Sequence, residues 1–231
     1  MASDQNPPAS EPHSYLETCI RQRHSIRYYK SDPVPESDLY HCLSLAQLSP
    51  SNSNIQNWRI SIASGKARDR IISALESESK VHGPEGIPAL PEDYRHFRSE
   101  FGHLLYGKEG YDIPRHHKDE HKAAQMRNYS FFDAPTVACI TMNKDLSGVD
   151  AMSVGLFIQT FMLALTERGL GSCLQVSVTG YPELLRKEFG LKDDQMVLCG
   201  MAIGYPAEGQ KVNDLHVPRE ELEHCVSMLK V

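Results

Sequence analysis

Two arginines flank a serine in the run Arg23-His24-Ser25-Ile26-Arg27. Guanidinium forks bind phosphate bidentately, and a hydroxyl adds a further donor. A second patch, Ser49-Pro50-Ser51-Asn52-Ser53-Asn54-Ile55-Gln56-Asn57-Trp58, crowds short donors and acceptors together and ends in the only tryptophan of the chain. Arg219, close to the C-terminus, is a third basic element. Cationic forks, hydroxyls and short amides together suit a phosphorylated, electron-rich aromatic cofactor.

Each motif has a plainer reading. Arg23 could be a solvated arginine at a helix end, and His24 could donate to phosphate or cap that helix. Arg27 could sit in a surface salt bridge. Ser and Asn are ordinary in a loop that ends a helix. Arg219 would sit at the start of a final helix, where a cation opposes the dipole and therefore argues for an anion nearby. His116, His117 and His121 cluster locally, but no Glu follows the first histidine as in a zincin. They read as a solvent-facing segment, and no metal site is expected.

Taken in chain order, these pieces resemble the FMN-dependent nitroreductase family, nearest to its nitrobenzoate-reductase-like subgroup. The first run is similar to the family's Arg-x-Ser-x-Arg/Lys signature, and the second to its Pro-Ser-x-x-Asn-x-Gln-Pro-Trp loop, with Asn57 in place of proline. Arg127-Asn128 with Phe131 to Pro135, Arg168 to Gln175, Glu188 to Leu191, Gly200 to Pro206, and Val212-Asn213 with Arg219-Glu220 follow in the family's order. The resemblance spans roughly residues 14–231.

The resemblance implies a cofactor, FMN, and a site. Arg23, His24, Ser25 and Arg219 would hold its phosphate, and His216 stands where relatives often carry another basic residue. Arg27 would lie near flavin N1 and C2 carbonyl and stabilise the charge gained on reduction. Pro50, Ser51, Asn52, Ser53, Asn54 and Gln56 would reach the flavin of a partner subunit. Leu174, Gln175, Val176 and Ser177 would lay their backbone against the ring and hydrogen-bond N5; alone, that segment is a plain buried strand. The implied reaction is ping-pong: NAD(P)H delivers hydride to flavin N5, then a nitroaromatic, quinone or similar electron-poor substrate takes it. No protein nucleophile is needed. Two alternatives stay open: a tailoring reductase or dehydrogenase of one metabolite, and a non-catalytic flavin-binding protein. The resemblance also implies a homodimer with shared flavin sites, of a domain-swapped type.

The chain must fold to bring residues 23 and 219 together. With 231 residues it can bury a sizeable core without disulfide staples. A formal charge of −6 gives no general pull toward nucleic acid or anionic membranes. Six cysteines are scattered with no Cys-x-x-Cys pair, against zinc or thioredoxin-like chemistry. The polar start lacks an apolar signal region, so a cytoplasmic setting is expected.

Residues 1–13 read as a disordered tail and 14–231 as one domain. Helices are expected at about Tyr15 to Arg23, from Pro35 to Leu48, at Lys66 to Lys80, at Pro182 to Phe189 and at Glu220 to Leu229. Strands are expected at Arg59 to Ala63, Pro135 to Met142, Cys173 to Val178 and Met196 to Ile203. Ala151 to Leu165 is apolar on nearly every face, predicting a helix buried all round and suited to sharing between subunits. It is read as too short and too interrupted for a membrane span. Residues 82–129 begin in a Gly/Pro loop and continue as two helices broken at Gly107 to Gly110, an insertion or lid over the site. Its aromatics, Tyr94, Phe97, Phe101, Tyr106 and Tyr111, could stack on an aromatic substrate or pack a satellite core. Strands and helices mix without a regular βαβ period, so the fold class is α+β; the resemblance implies a nitroreductase-like α-β-α arrangement with a central, mainly antiparallel sheet flanked by helices.

Overall fold

The computed structural model describes residues 15–229. Four strands form one sheet: β1 (Arg59–Ser64), β2 (Thr136–Asn143), β3 (Gly171–Gln175) and β4 (Gln195–Gly204). Their order is β1-β2-β4-β3, and every pairing is antiparallel. Around it stand α1 (Tyr15–Gln22), α2 (Glu36–Ala46), α3 (Gly65–Val81), α4 (Arg95–Tyr106), α5 (Lys118–Met126), α6 (Gly148–Glu167), α7 (Pro182–Phe189) and a four-residue α8 (Leu222–Cys225). The fold is α+β.

Alternation along the strands explains the layers, because successive side chains point to opposite faces. Ala138, Ile140 and Met142 of β2, with Cys199, Met201 and Ile203 of β4, face α2 and α6 and meet Trp58, Phe157 and Phe161 there. Val137 and Ala202 face the other way, onto Ile71, Ile72 and Leu75 of α3 and Leu185 of α7. With helices on both sides, β2 is buried along almost its whole length, which is why it reads as an unbroken apolar run. A third, smaller core joins Leu105 of α4 to Val212 and Leu215 near the C-terminus, with Tyr28, Phe101, Tyr106 and Tyr111 against it.

Local signals explain the ends. Ser147 and Asp150 form a reciprocal capping box at the start of α6. Pro182 opens α7, where its missing N–H costs nothing, and Gly190 closes it in the left-handed region (φ 64°). The turn before β2 is less ordinary. Phe131, Phe132 and Asp133 are all left-handed, at φ 50°, 53° and 62°. That conformation costs about 1–2 kcal/mol per residue, and the deep burial of both phenylalanine rings offsets it.

Four sequence expectations need correction. The final helix is not Glu220 to Leu229 but only Leu222–Cys225, and residues 226–229 run without helix. The third strand spans Gly171–Gln175, and Ser177–Gly180 is a tight 3-10 turn rather than its continuation. The helix expected at Ala151 to Leu165 spans all 20 residues of α6 and is not buried all round: Val149, Met152 and Leu156 stand exposed. At that length it is long and apolar enough to cross a membrane, so the length argument fails; half of its apolar window is packed inside the protein instead. The expected tail, residues 1–13, lies outside the described residues.

Candidate functional site

Arg23 closes α1, its N–H donating to Cys19 O at 2.9 Å. The chain then runs extended beside the sheet. Ser25 bridges Ser172 in parallel, Ile26 N donates to Ser172 O at 3.1 Å, and Lys30 N to Tyr205 O at 2.8 Å. Gly171 makes this possible, since a Cβ there would fall 2.5 Å from Ile26 Cγ1. After β4 the chain returns to the same place, with Ala207 N donating to Tyr28 O at 3.0 Å. The two ends of the polypeptide are therefore neighbours.

Between them lies a cavity of about 550 Å³. Arg23, His24, Ser25 and Arg27 line it from one end of the chain, and His216 and Arg219 from the other. The His24 and His216 rings are 4.5 Å apart. Among the described residues, none that lines it is acidic. Burial, and then the repulsion of Arg219, push the Arg23 guanidinium below its usual range. Four arginines, Arg21, Arg23, Arg27 and Arg219, with no carboxylate among the described lining residues, are the signature of an anion site. A larger cavity of about 690 Å³ near Tyr181 is the wrong candidate, because Glu78, Glu85, Glu183 and Glu188 line it.

Arg219 lies outside any helix, two residues before the N-cap Glu221 of the four-residue α8, so the dipole argument made for it has only a single turn to act on. Its place in the cavity wall is the better argument.

Arg27 lies with its guanidinium 5.6 Å from the Phe101 ring centroid. Leu174 and Val176 are exposed at the end of β3, whereas Gln175 is buried and donates through Nε2 to Asn128 O at 2.6 Å. Two buried oxygens on this segment, Gln175 Oε1 and Ser177 Oγ, have no hydrogen-bond partner among the described residues. Such groups are costly unless a ligand or water meets them.

The second polar patch is elsewhere. Pro50 to Gln56 packs beside the first half of α6 and does not line the arginine-walled cavity. Ser49 Oγ donates to Thr160 Oγ1 at 3.0 Å, Asn52 N to Ser153 Oγ at 3.2 Å, and Asn52 Nδ2 to Asp150 Oδ1 at 3.3 Å. Ser51 Oγ accepts from Gln56 N at 3.0 Å. Ser53, Asn54 and Gln56 take left-handed backbone, and Ser53 and Asn54 are exposed. Asn57, in the place of the family's proline, is buried and donates to Asp150 O at 3.0 Å.

Phe101 and Gln159 also line the cavity. Gln159 carried no sequence signal beyond interrupting an apolar run. Of the insertion's aromatics, Phe101, Tyr106 and Tyr111 pack the satellite core, while Tyr94 and Phe97 are exposed. His117 pairs with Glu120 at 2.7 Å, and the His121 ring lies 4.7 Å from Tyr106.

The chain is 33% identical over 227 residues to the nitrobenzene nitroreductase of Ectopseudomonas oleovorans, covering 93% of this chain and 97% of that protein. It is 30% identical over 211 residues to the 4-nitrobenzoate reductase of Pseudomonas putida, covering 89% and 91%. Among solved structures, the FMN-dependent nitroreductase NfnB from Mycobacterium smegmatis in complex with NADPH superposes with a TM-score of 0.85 at 29% identity, covering 93% of this chain and 97% of that one. The model of the nitroreductase family matches residues 20–205. By fold and by sequence, this chain belongs to the nitroreductase family.

Proposed function

We propose that this chain is an FMN-dependent oxidoreductase that takes reducing equivalents from NAD(P)H and passes them to a nitroaromatic or similar electron-poor substrate. One observation carries the reading: an acid-free cavity in which arginines from both ends of the chain converge. The relatives support it, being nitrobenzene and 4-nitrobenzoate reductases and an FMN-dependent enzyme in complex with NADPH.

FMN, when bound, supplies the redox chemistry, a ring that stores and releases a hydride equivalent. The protein supplies grip and electrostatics. Arg23 and Arg219 hold the phosphate dianion, and Ser25 adds a hydroxyl. His24 and His216 flank it. Arg27 places a fixed cation beside the ring, where reduction adds negative charge. The backbone of Leu174 to Ser177 would lie against the ring on the side where Leu174 and Val176 stand exposed. The insertion, residues 82–129 within a single domain of residues 14–231, covers the site through α4.

The reading includes a homodimer in a cytoplasmic setting. Val149, Met152 and Leu156 form an exposed apolar stripe on α6, the helix that holds the second polar patch. Pairing that stripe with a second copy buries it and carries Ser51 to Gln56 toward the partner's ring. Obligate interfaces of this kind are large and apolar.

The purified protein should be yellow, and NAD(P)H should bleach it anaerobically. A colourless preparation that FMN cannot reconstitute ends the proposal. An active monomer on light scattering ends the shared-site part alone.

A further inference from the structure

The meeting of the two chain ends has a single side chain at its centre. Asn213 is 4% exposed, yet its side-chain amide uses all of its hydrogen-bonding capacity. Oδ1 accepts from Arg27 N at 2.9 Å and from Tyr28 N at 3.0 Å. Nδ2 donates to Tyr28 O at 2.8 Å and to Ala207 O at 3.1 Å. The Asn213 carbonyl accepts from His24 Nε2. One residue thus grips the N-terminal run at His24, Arg27 and Tyr28, and the return segment at Ala207.

No strand ladder does this work. The run from Ser25 to Lys30 pairs with Ser172, Tyr205, Pro206 and Ala207 through isolated bridges and bonds only. Without Asn213, the adjacent Arg27 and Tyr28 N–H groups would lack an acceptor. The return segment that carries His216 and Arg219 would keep only backbone ties to the segment that carries Arg23 and Arg27, Ala207 N to Tyr28 O and His24 Nε2 to Asn213 O, and would lose all four side-chain bonds that fix the Arg27-Tyr28 backbone against it. Apolar contacts of Val212 and Leu215 would remain, but they are not directional.

We propose that Asn213 is the positioning residue of the cofactor site: its side chain clamps the Arg27-Tyr28 backbone to the C-terminal return segment and so sets the spacing of the arginines that receive the phosphate. The proposal rests on the FMN reading above. It makes a demand that simple stabilisation does not. A clamp that sets arginine spacing acts on the phosphate, so its loss weakens FMN more than riboflavin, which lacks that group. A generally loosened fold weakens both alike.

The test compares Asn213→Ala and Asn213→Asp with the parent chain. Aspartate keeps an acceptor for the two N–H groups but turns an oxygen toward the Tyr28 and Ala207 carbonyls. Affinities of the apoprotein for FMN and riboflavin are measured by flavin fluorescence, and exchange of the Arg27 and Tyr28 amides by hydrogen–deuterium exchange. In Asn213→Ala, the FMN-to-riboflavin affinity ratio should fall roughly tenfold, and both amides should lose protection. In Asn213→Asp, the amides should stay protected while the ratio still falls, because the return segment is released. An unchanged ratio, or amides that stay protected in Asn213→Ala, overturns the proposal. Should Asn213→Ala not fold, Asn213→Ser replaces it under the same criteria. A parent chain that binds no FMN sinks the cofactor reading as well; a parent that binds FMN, with variants of unchanged ratio, sinks the clamp alone.

Discussion

The two polar motifs of this chain have opposite fates. Arg23 to Arg27 is completed inside one molecule: β3 supports it, the C-terminal return segment closes on it, and the result is a walled cationic cavity. Ser49 to Gln56 is finished locally instead. Its bonds go to α6, and its tip, Ser53 and Asn54, stays exposed in strained backbone. Strain of about 1–3 kcal/mol per such residue persists only where surrounding structure enforces it, and it gathers at functional sites. The comparison teaches that one motif is walled in by distant parts of its own chain, while the other keeps a preformed tip turned outward.

The most disruptive test is Leu156→Glu, which places a carboxylate on the exposed stripe of α6. Burying an unpaired charge costs several kcal/mol, so light scattering should show a shift from dimer to monomer at micromolar protein. The monomer should keep its fold and phosphate affinity but lose turnover. A dimer that survives breaks the distinction between the motifs.

Arg219→Ala probes the other side. Losing one charge-assisted contact, about 1.5–3 kcal/mol, should weaken FMN roughly 10- to 100-fold and leave the dimer intact. Equal losses for FMN and riboflavin would remove Arg219 from the phosphate site.

Gly200→Ala strikes the core on the α3 and α7 side of the sheet, away from the Ser49 to Gln56 patch. Its Cβ would sit 2.6 Å from Val178 Cγ2 and 2.8 Å from Phe131 Cε1. Overpacking should cost about 1–3 kcal/mol, visible as a fall of several degrees in Tm for a domain of this size. An unchanged Tm would mean that the Phe131 turn yields easily.

The smallest effect belongs to Asp150. Bonds from Ser147 N and Oγ, and then from Asn52, hold its carboxyl below the usual range. A lowered folded-state value means that its contribution is present above the unfolded value, about 4, and fades as pH falls through the folded one. Amide exchange of residues 51–57 should therefore rise at pH below about 4 in the parent. Asp150→Asn should flatten that dependence. A parent with no acid-linked rise would show that the other bonds to α6 suffice.

Much of the fold was legible because local signals agreed with tertiary ones. The unbroken run of β2 marks a strand covered on both faces, and Pro182 with Gly190 punctuates α7. The C-terminal helix failed because Glu220 to Leu229 has helix-forming residues but packs no face into a core, and propensity alone rarely sustains so short a helix. The turn at Phe131 to Asp133 left no mark in the sequence, since nothing about two phenylalanines favours left-handed backbone. Asn213 escaped notice as a clamp for the same reason: an asparagine declares no partner, and its partners lie 185 and 186 residues away.

By itself the sequence determined which chemical groups are available, the family they resemble, and the elements whose periodicity is local: the helix and strand faces that must be buried. Only the tertiary structure decided that residues 23 and 219 share a wall, that Gln159 and Phe101 join them, and that the serine-rich patch stands apart on α6. The physical reason is range. Periodicity and capping act within a few residues, whereas a cavity is made by sheet order and chain return, which no neighbouring residue encodes.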